Sequence, residues 1–368
     1  MRRSASGLSS TVPPGVSTRS TCRPARPGTT ANNADSSIRA LQTAVRARPA
    51  PRFSRLLACR REGTFCPRFG ATARKAFAMA KKTTTVIGMG MMGKKLAALL
   101  LQAGHAVSVW NRSPAAAAKV VGQGATLHQD VARAIAASEV VVVCVKDYEV
   151  ANAIFSSPGV EAALKGRTVV HLTTGSPKEA LDMDAWVRGH GALYLDGAIQ
   201  AAPEQMGAPT TPVLVSGAQQ AYDSALAVLQ VFGGGIAYLG ERASLASAMD
   251  FATLSYVYGA TLGFFHGARI AETEGLNVAH YGSIIHQIAP SFGEFLQHEG
   301  QVIHSGDFAI TQSPLRISID ATRRIAQHAR DSGIHAAVPE LAETLFRQAE
   351  EAGYADEEAA AVVKVMRG

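Results

Sequence analysis

The chain has 368 residues, which is enough for two domains with sizeable cores. Its 36 Lys and Arg against 29 Asp and Glu give a net charge of +7, but residues 1–80 contain 14 Arg, 1 Lys and only two acids. This leader therefore carries +13 and the rest of the chain −6. Because the positive charge lies in the leader, the basic composition is no argument for nucleic-acid binding by the folded part.

The leader, residues 1–80, is rich in Ser, Pro, Thr, Arg and Gly and lacks hydrophobic periodicity, which predicts disorder. Three explanations stand: a transit peptide, a tail that binds polyanions, or upstream sequence read through a misplaced start codon. We favour the last, because Met79 is followed at once by two lysines and the first predicted strand. The leader lacks the apolar core of a secretory signal, and no apolar run of the chain is long enough to span a membrane. A cytoplasmic location is expected, with organellar import through the leader as the alternative.

Cysteine usage implies neither a disulfide framework nor a metal site. Three of the four cysteines lie in the leader, and Cys144 lies in the run VVVVCV. We predict that Cys144 is a buried strand residue and not a reactive thiol.

The stretch TVIGMGMMGKKLAALLLQ predicts a strand over 83–87, a turn, and a helix over 94–102. Gly88, Gly90 and Gly93 have the G-x-G-x-x-G spacing of a dinucleotide site, and Met91 and Met92 fill the gap. The first glycine permits a tight turn, the second lets the backbone approach a pyrophosphate, and the third lets helix and strand pack closely. The alternative is a Gly-rich turn in some other α/β protein.

A second strand over 105–110 ends at Asn111, Arg112 and Ser113. An NAD-preferring site would place a carboxylate there, against the ribose 2′-hydroxyl. A guanidinium instead pairs well with a 2′-phosphate, so the sequence predicts NADPH as the cofactor.

The next elements continue a mostly parallel, doubly wound sheet. A fourth strand over 139–145 should bring Val145, Lys146, Asp147 and Tyr148 near the cofactor, because ligands bind at the carboxyl ends of such strands. Further predictions are a helix over 150–164 and strands over 168–172, 193–199, 212–216 and 236–239.

The turn after the strand over 168–172 places two threonine hydroxyls at a carboxyl strand end, with Thr174 as a site candidate. Ser176 and Pro177 also fit the N-cap and first position of the next helix, and both interpretations can hold together.

From residue 243 the chain predicts an all-α region. Residues 243–275 form one long helix that is apolar nearly all round and so predicted to be buried. Gly259, Gly263 and Gly267 give it a smooth face for a neighbouring helix, within the chain or across a dimer. Further helices are predicted over 279–298, 315–333 and 339–353, with a short last one ending near Met366. The predicted division is a leader over 1–80, a Rossmann domain over 81–242 and a helical domain over 243–368.

The segments VIGMGMMG, VWNRSP, VVVVCVKDY, LTTGSP, YLDGAIQAAPEQMG and AMDFATLSYVYGATLGFFHGA occur in this order. Together they resemble the imine reductases and reductive aminases, relatives of the β-hydroxyacid dehydrogenases, over residues 83–368. The resemblance implies an NADPH-dependent reductase with a Rossmann domain, a long interdomain helix and a helical bundle. It also implies an intertwined homodimer in which the cofactor domain of one subunit and the bundle of the other enclose each active site.

Two positions separate the chain from its hydroxyacid-oxidising relatives. Those relatives carry Ser-Gly-Gly after an Asp, where this chain runs from Asp196 through Gly197, Ala198 and Ile199 to Gln200. They also carry a catalytic Lys followed by Asn on the long helix, where this chain has Asp250 and Thr253.

Asp250 is the main catalytic candidate, because a carboxylate can stabilise an iminium cation and a buried carboxyl can stay protonated and act as an acid. The alternative is an Asp stabilised by the dipole near a helix N-terminus. Tyr258 lies eight residues on, roughly 12 Å along the helix. In the resembling family a tyrosine there lines the active site, whereas a core tyrosine is the other interpretation. Thr174 stands where reductive aminases often have Asn, which leaves reductive amination open.

The predicted function is hydride transfer from NADPH to an imine or iminium, with a small imine, amine or carbonyl compound as substrate. A β-hydroxyacid dehydrogenase or carbonyl reductase with the same cofactor is the first alternative, and a non-catalytic NADPH-binding protein is the second. Met249, Ile317 and Ser318 depart from frequent family residues, so no substrate range is inferred.

Overall fold

The computed structural model describes residues 81–367, and the predictions for the leader lie outside the described residues. Its first part is built on one sheet of eight strands. The strands in chain order are β1 Thr83–Ile87, β2 Ala106–Trp110, β3 Thr126–Leu127, β4 Val140–Val143, β5 Thr168–His171, β6 Leu193–Ile199, β7 Pro212–Gly217 and β8 Gly235–Tyr238. Their order in the sheet is β3-β2-β1-β4-β5-β6-β7-β8, and every pair is parallel except β6 with β7.

Helices cover both faces of this sheet and then form a bundle. Those of the first part are α1 Met91–Gln102, α2 Ala118–Val121, α3 Val131–Ala136, α4 Tyr148–Phe155, α5 Val160–Leu164, α6 Pro177–Gly189 and α7 Gln219–Phe232, with 3-10 turns at Pro114–Ala117 and Pro203–Gln205. Those of the second part are α8 Ser244–Thr273, α9 Val278–Ser305, α10 Leu315–Asp331 and α11 Ala337–Glu351, with a 3-10 segment Ala359–Met366. The predicted fold class, a Rossmann sheet followed by a long helix and a helical bundle, is confirmed.

Most predicted strands are confirmed to within two residues at each end, because buried parallel strands are continuous apolar runs. Val140 to Val143 are all buried, with helices on both faces. The short strand β3 was not among the strands listed from the sequence, because a strand of two residues is too short to show a period. The single helix predicted over 150–164 is two helices, because the chain turns at Gly159 with φ of +83°.

The long helix, α8, is where the sequence and the structure differ most. Its bounds are within one or two residues of the prediction, but the prediction of burial was wrong for this single chain. Large apolar side chains along it are exposed, namely Met249, Phe251, Tyr256, Val257, Tyr258, Leu262 and Phe265. Of the three glycines on the predicted smooth face, Gly267 packs against Tyr281 of α9, while Gly259 and Gly263 face open space.

No described helix combines the length and the hydropathy needed to cross a membrane.

The sheet interior holds two ionisable side chains beside each other, His171 on β5 and Asp196 on β6. Asp196 is fully buried and accepts hydrogen bonds from the hydroxyls of Tyr148 at 2.7 Å, Tyr194 at 3.3 Å and Ser247. Burial raises the pKa of Asp196 to about 6, and these three hydroxyls oppose the shift. Because Ser247 belongs to α8, the network ties the sheet to the long helix.

His171 has no such partners among the described residues. It is fully buried against the ring of Tyr148, with 4.3 Å between ring centroids, and neither ring nitrogen is hydrogen bonded. Burial lowers the pKa of His171 to about 3, so the imidazole stays neutral in the folded protein across the mildly acidic range.

His171→Leu should make the protein less sensitive to acid. Between pH 6 and pH 4 the unfolded chain binds a proton at this histidine and the folded chain does not, so the wild type loses about 1.4 kcal/mol of unfolding free energy per pH unit from this group. The variant should lack that loss. Urea unfolding of both proteins at a series of pH values measures the difference.

The exposed His280 provides the control, since His280→Gln leaves the buried imidazole of His171 in place and should keep the loss of stability in acid. Parallel pH profiles for wild type and His171→Leu would contradict the assignment of a neutral buried imidazole.

Candidate active site

A groove of about 830 Å³ lies at the carboxyl ends of β1, β2 and β4. All nine residues predicted to bind the cofactor line it, namely Gly88, Gly90, Met91, Met92, Gly93, Asn111, Arg112, Ser113 and Val145. Sequence reasoning missed one residue inside the glycine loop, one at the end of β2, three residues of α4 and one just beyond it, and the start of a 3-10 turn. These are Met89, Trp110, Val150, Ala153, Ile154, Ser157 and Pro203.

The three glycines of the motif meet different constraints. Gly88 has φ of +99°, and a Cβ there would lie 2.2 Å from the carbonyl oxygen of Cys144. A Cβ on Gly93 would lie 1.9 Å from the carbonyl oxygen of Gly88. Gly90 has an ordinary φ of −69°, and a Cβ there would meet nothing within 4 Å. The fold thus requires Gly88 and Gly93, whereas the open space at Gly90 fits a bound pyrophosphate.

The first turn of α1 offers donors to this groove. Gly90 is the N-cap residue, and no side chain caps the helix. The first N–H groups of a helix have no partner within it, so those of Met91 and Met92 are available to an anion at the positive end of the helix dipole.

Two residues after β2 have different roles: Asn111 orders the loop through hydrogen bonds, and the side chain of Arg112 has no ion-pair partner among the described residues. The Asn111 side chain accepts a hydrogen bond from the Met89 N–H at 2.9 Å and donates to the Ser113 carbonyl at 3.0 Å. Arg112 is exposed at the groove and forms no ion pair with any described residue. Its guanidinium fits the extra phosphate that distinguishes NADPH from NADH.

Hydrogen bonds on its buried side fix the loop after β4. The Val145 N–H donates to the hydroxyl of the buried Thr173 at 3.1 Å, and Asp147 caps α4 through the Val150 N–H at 2.9 Å. Lys146 and Asp147 form a loop ion pair at 3.1 Å. Tyr148 was expected near the cofactor and instead points into the core, toward Asp196.

Cys144 was predicted to be a buried strand residue. It lies one residue beyond β4, and it is partly exposed because it borders the groove. Burial of the thiol still raises its pKa to about 11, so the nucleophilic thiolate is scarce at neutral pH.

Thr174 is exposed, and its hydroxyl has no hydrogen-bond partner among the described residues. The inward residue of this turn is its neighbour Thr173, which sequence reasoning did not single out. The predicted N-cap is confirmed, since Ser176 and Glu179 form a reciprocal capping box at the start of α6.

Asp250 is 4% exposed and lies in the second turn of α8, beyond the first turn where the helix dipole acts most strongly. Its Oδ1 accepts a hydrogen bond from the Gln200 side-chain amide at 2.5 Å. Burial raises the pKa of Asp250, and the hydrogen bond from Gln200 opposes that shift. Sequence reasoning missed Gln200 as a partner; the only signal was its place in the segment that differs from the hydroxyacid dehydrogenases.

Tyr258 is 64% exposed and does not contact Asp250. Asp250, Tyr258 and Thr174 all lie outside the lining of the groove. The single chain therefore assembles the predicted cofactor residues in one groove, and the three predicted catalytic residues are not part of its lining.

Two family models match the chain side by side. Residues 83–240 match the NAD binding domain of 6-phosphogluconate dehydrogenase, and residues 243–368 match the NADPH-dependent reductive aminase-like C-terminal domain. The NADPH-dependent reductive aminase of Aspergillus oryzae is 28% identical over 289 residues, 77% of this chain and 96% of its own length.

Solved structures agree. The imine reductase from Myxococcus stipitatus in complex with NADP⁺ is 30% identical, with a TM-score of 0.74 over 77% of this chain and 100% of its own. This chain belongs to the imine reductase and reductive aminase family. A reductive aminase from Aspergillus terreus in complex with NADPH4, cyclohexanone and allyl amine is 29% identical, with a TM-score of 0.72 over 78% of this chain and 100% of its own. As a family member, the protein is an NADPH-dependent oxidoreductase.

Gly90→Ala should weaken NADPH binding without weakening the fold. The new methyl group meets no protein atom but enters the space where the backbone approaches a pyrophosphate, so we expect at least a tenfold rise in Kd, about 1.4 kcal/mol. Fluorescence titration with NADPH and a thermal melt without it measure the two quantities.

Gly93→Ala is the matched comparison, because its methyl group collides with the backbone of Gly88 and should lower the melting temperature itself. Unchanged NADPH affinity in Gly90→Ala would place the pyrophosphate elsewhere.

Proposed function

We propose that this protein reduces a carbon–nitrogen double bond, an imine or iminium, to an amine at the expense of NADPH. The observation that carries the proposal is Asp250, a buried carboxyl with a raised pKa where hydroxyacid dehydrogenases carry a lysine. A lysine serves proton exchange with an alcohol, whereas a carboxyl serves a substrate that becomes cationic at nitrogen. The names of the relatives, imine reductases and reductive aminases, agree with it.

The residues of the groove would hold the cofactor, with the first turn of α1 on the pyrophosphate and Arg112 on the 2′-phosphate. NADPH supplies the hydride when it is bound. Asp250 either donates a proton to the imine nitrogen or, when ionised, stabilises the iminium charge. Tyr258 and Thr174 would position the substrate, and both are exposed in the single chain.

We further propose that the active form is a homodimer that encloses the substrate. The support is an apolar surface that the single chain leaves exposed on α8 and α9, formed by Tyr256, Val257, Tyr258, Leu262, Phe265, Ile284, Ile288 and Phe292. Such a surface is far more apolar than water-facing helices usually are. A second copy that covered this surface would enclose the side of α8 on which Tyr258 is exposed.

Asp250→Asn should lower imine turnover by about 10²-fold or more, because the amide can neither donate the carboxyl proton nor carry its charge. The measurement is NADPH oxidation at 340 nm with 1-pyrroline, a small cyclic imine. The pH dependence of the wild type distinguishes the two roles. A rate that falls as pH rises through the Asp250 pKa indicates the acid, and a rate that rises there indicates the carboxylate.

Asp184, a partly buried aspartate on α6 with its own ion pair, supplies the control; Asp184→Asn should retain imine turnover. Failure of a folded, NADPH-binding wild type to reduce 1-pyrroline would count against imine reduction of that substrate class. Turnover of a β-hydroxyacid in its place would favour the dehydrogenase alternative. Turnover of neither substrate would favour a non-catalytic NADPH-binding protein.

Leu262→Glu should shift the protein from twice the chain mass toward the monomer in sedimentation velocity, because a charge would be buried at the proposed interface. Leu181→Glu is the control, since Leu181 is an exposed leucine of α6 and is not one of the residues of this surface. A wild type that sediments as a monomer at micromolar concentration would contradict the dimer.

A further inference from the structure

Gln200, one residue beyond β6, connects the sheet to the candidate catalytic helix. Its Nε2 donates to Asp250 Oδ1 at 2.5 Å, and its Oε1 accepts from the hydroxyl of Thr253 at 2.9 Å. The Thr253 hydroxyl also lies 2.9 Å from the main-chain carbonyl oxygen of Asp250. Both ends of the Gln200 amide are therefore engaged by residues of the same helical turn.

We propose that Gln200 is a positioning residue for the reduction, which holds the carboxyl of Asp250 in a single orientation toward the substrate with Thr253 fixing its amide. The inference rests on the proposed role of Asp250. It extends that role to a residue 50 positions earlier in the chain, in the segment where hydroxyacid dehydrogenases carry Ser-Gly-Gly.

An amide suits this task because it serves both protonation states of a carboxyl. When Asp250 is ionised, the Nε2 of Gln200 donates to it, as in the structure. When Asp250 is protonated, its hydroxyl needs an acceptor, and a half-turn of the amide presents Oε1. Thr253 can follow the change, since a hydroxyl both donates and accepts. The carboxyl can thus stay in place before and after it transfers a proton.

Charged groups on β6 and α6, two of the elements that pack against α8, are already engaged. Asp196 on β6 is bound by Ser247, Tyr148 and Tyr194. On α6, Lys178 pairs with Asp182, Arg188 with Asp184, and Glu179 caps the helix with Ser176. On β7, Ser216 bonds the main chain at Ala243 and Ala246. Among the described side chains, only Gln200 donates a hydrogen bond to the Asp250 carboxyl.

The test compares Gln200→Met with wild type in 1-pyrroline reduction. Methionine keeps the length of the side chain and removes the donor. We expect kcat to fall about tenfold, which is a loss of about 1.4 kcal/mol, with KM changed less. We also expect the pH midpoint assigned to Asp250 to move upward, because the hydrogen bond that favours the ionised form is gone. Thr253→Val should shift both quantities in the same direction, by less.

The matched control is Gln219→Met, which removes a glutamine donor to a carboxylate, Asp223 at 2.8 Å, on the exposed face of α7. It should leave kcat and the pH profile unchanged. If Gln200→Met does not fold, Thr253→Val and Gln200→Glu take its place, and the glutamate should raise the midpoint through repulsion between the two carboxylates.

Asp250→Asn, assayed beside these variants, separates the two proposals. A large loss in Asp250→Asn with kcat and pH profile unchanged in Gln200→Met would overturn the positioning role and leave imine reduction standing. Full activity in Asp250→Asn would overturn the proposed role of the carboxyl and, with it, the role of Gln200.

Discussion

Two side-chain hydrogen bonds between β6, or the residue after it, and the long helix α8 fix the helix relative to the sheet. One joins Asp196 to Ser247, and the other joins Gln200 to Asp250, three residues further along the helix. Both carboxyls are buried, and a buried charge is tolerated only where hydrogen bonds replace its hydration. The sheet therefore determines how α8 is rotated and which way Asp250 points.

The first of these hydrogen bonds also reaches the cofactor side. Tyr148 opens α4 directly after the loop that borders the groove, and its hydroxyl donates to the same Asp196 that binds Ser247. One buried carboxylate thus connects the loop beside the cofactor with the helix that carries Asp250. The hydroxyl donors take the place of water around the buried Asp196 carboxylate. Moving one of these elements would remove a donor and leave the buried charge without a hydrogen bond, so the elements keep one arrangement.

In a single chain, the site proposed for the cofactor and the site proposed for the substrate differ in how completely they are formed. The groove proposed for the cofactor is complete, because its glycines, helix terminus and Arg112 come from adjacent turns at one edge of the sheet. The side proposed for the substrate is open, with Tyr258 exposed and apolar side chains facing outward along α8. If water is excluded from the active site only when two copies associate, activity depends on dimer formation. This asymmetry is the physical basis for the proposed dimer.

Local spacing alone determined the glycine loop, most strands, the N-cap at Ser176 and the bounds of α8, because each depends on contacts within a few residues. The sequence also indicated Asp250, as a carboxyl on an otherwise apolar helix. Only the tertiary structure decided that Thr173 and not Thr174 supports the loop after β4, that Gln200 meets Asp250, and that α8 is exposed. Those outcomes depend on pairs of residues far apart in the chain, or on surfaces that one chain cannot cover, and neither leaves a periodic signal in the sequence.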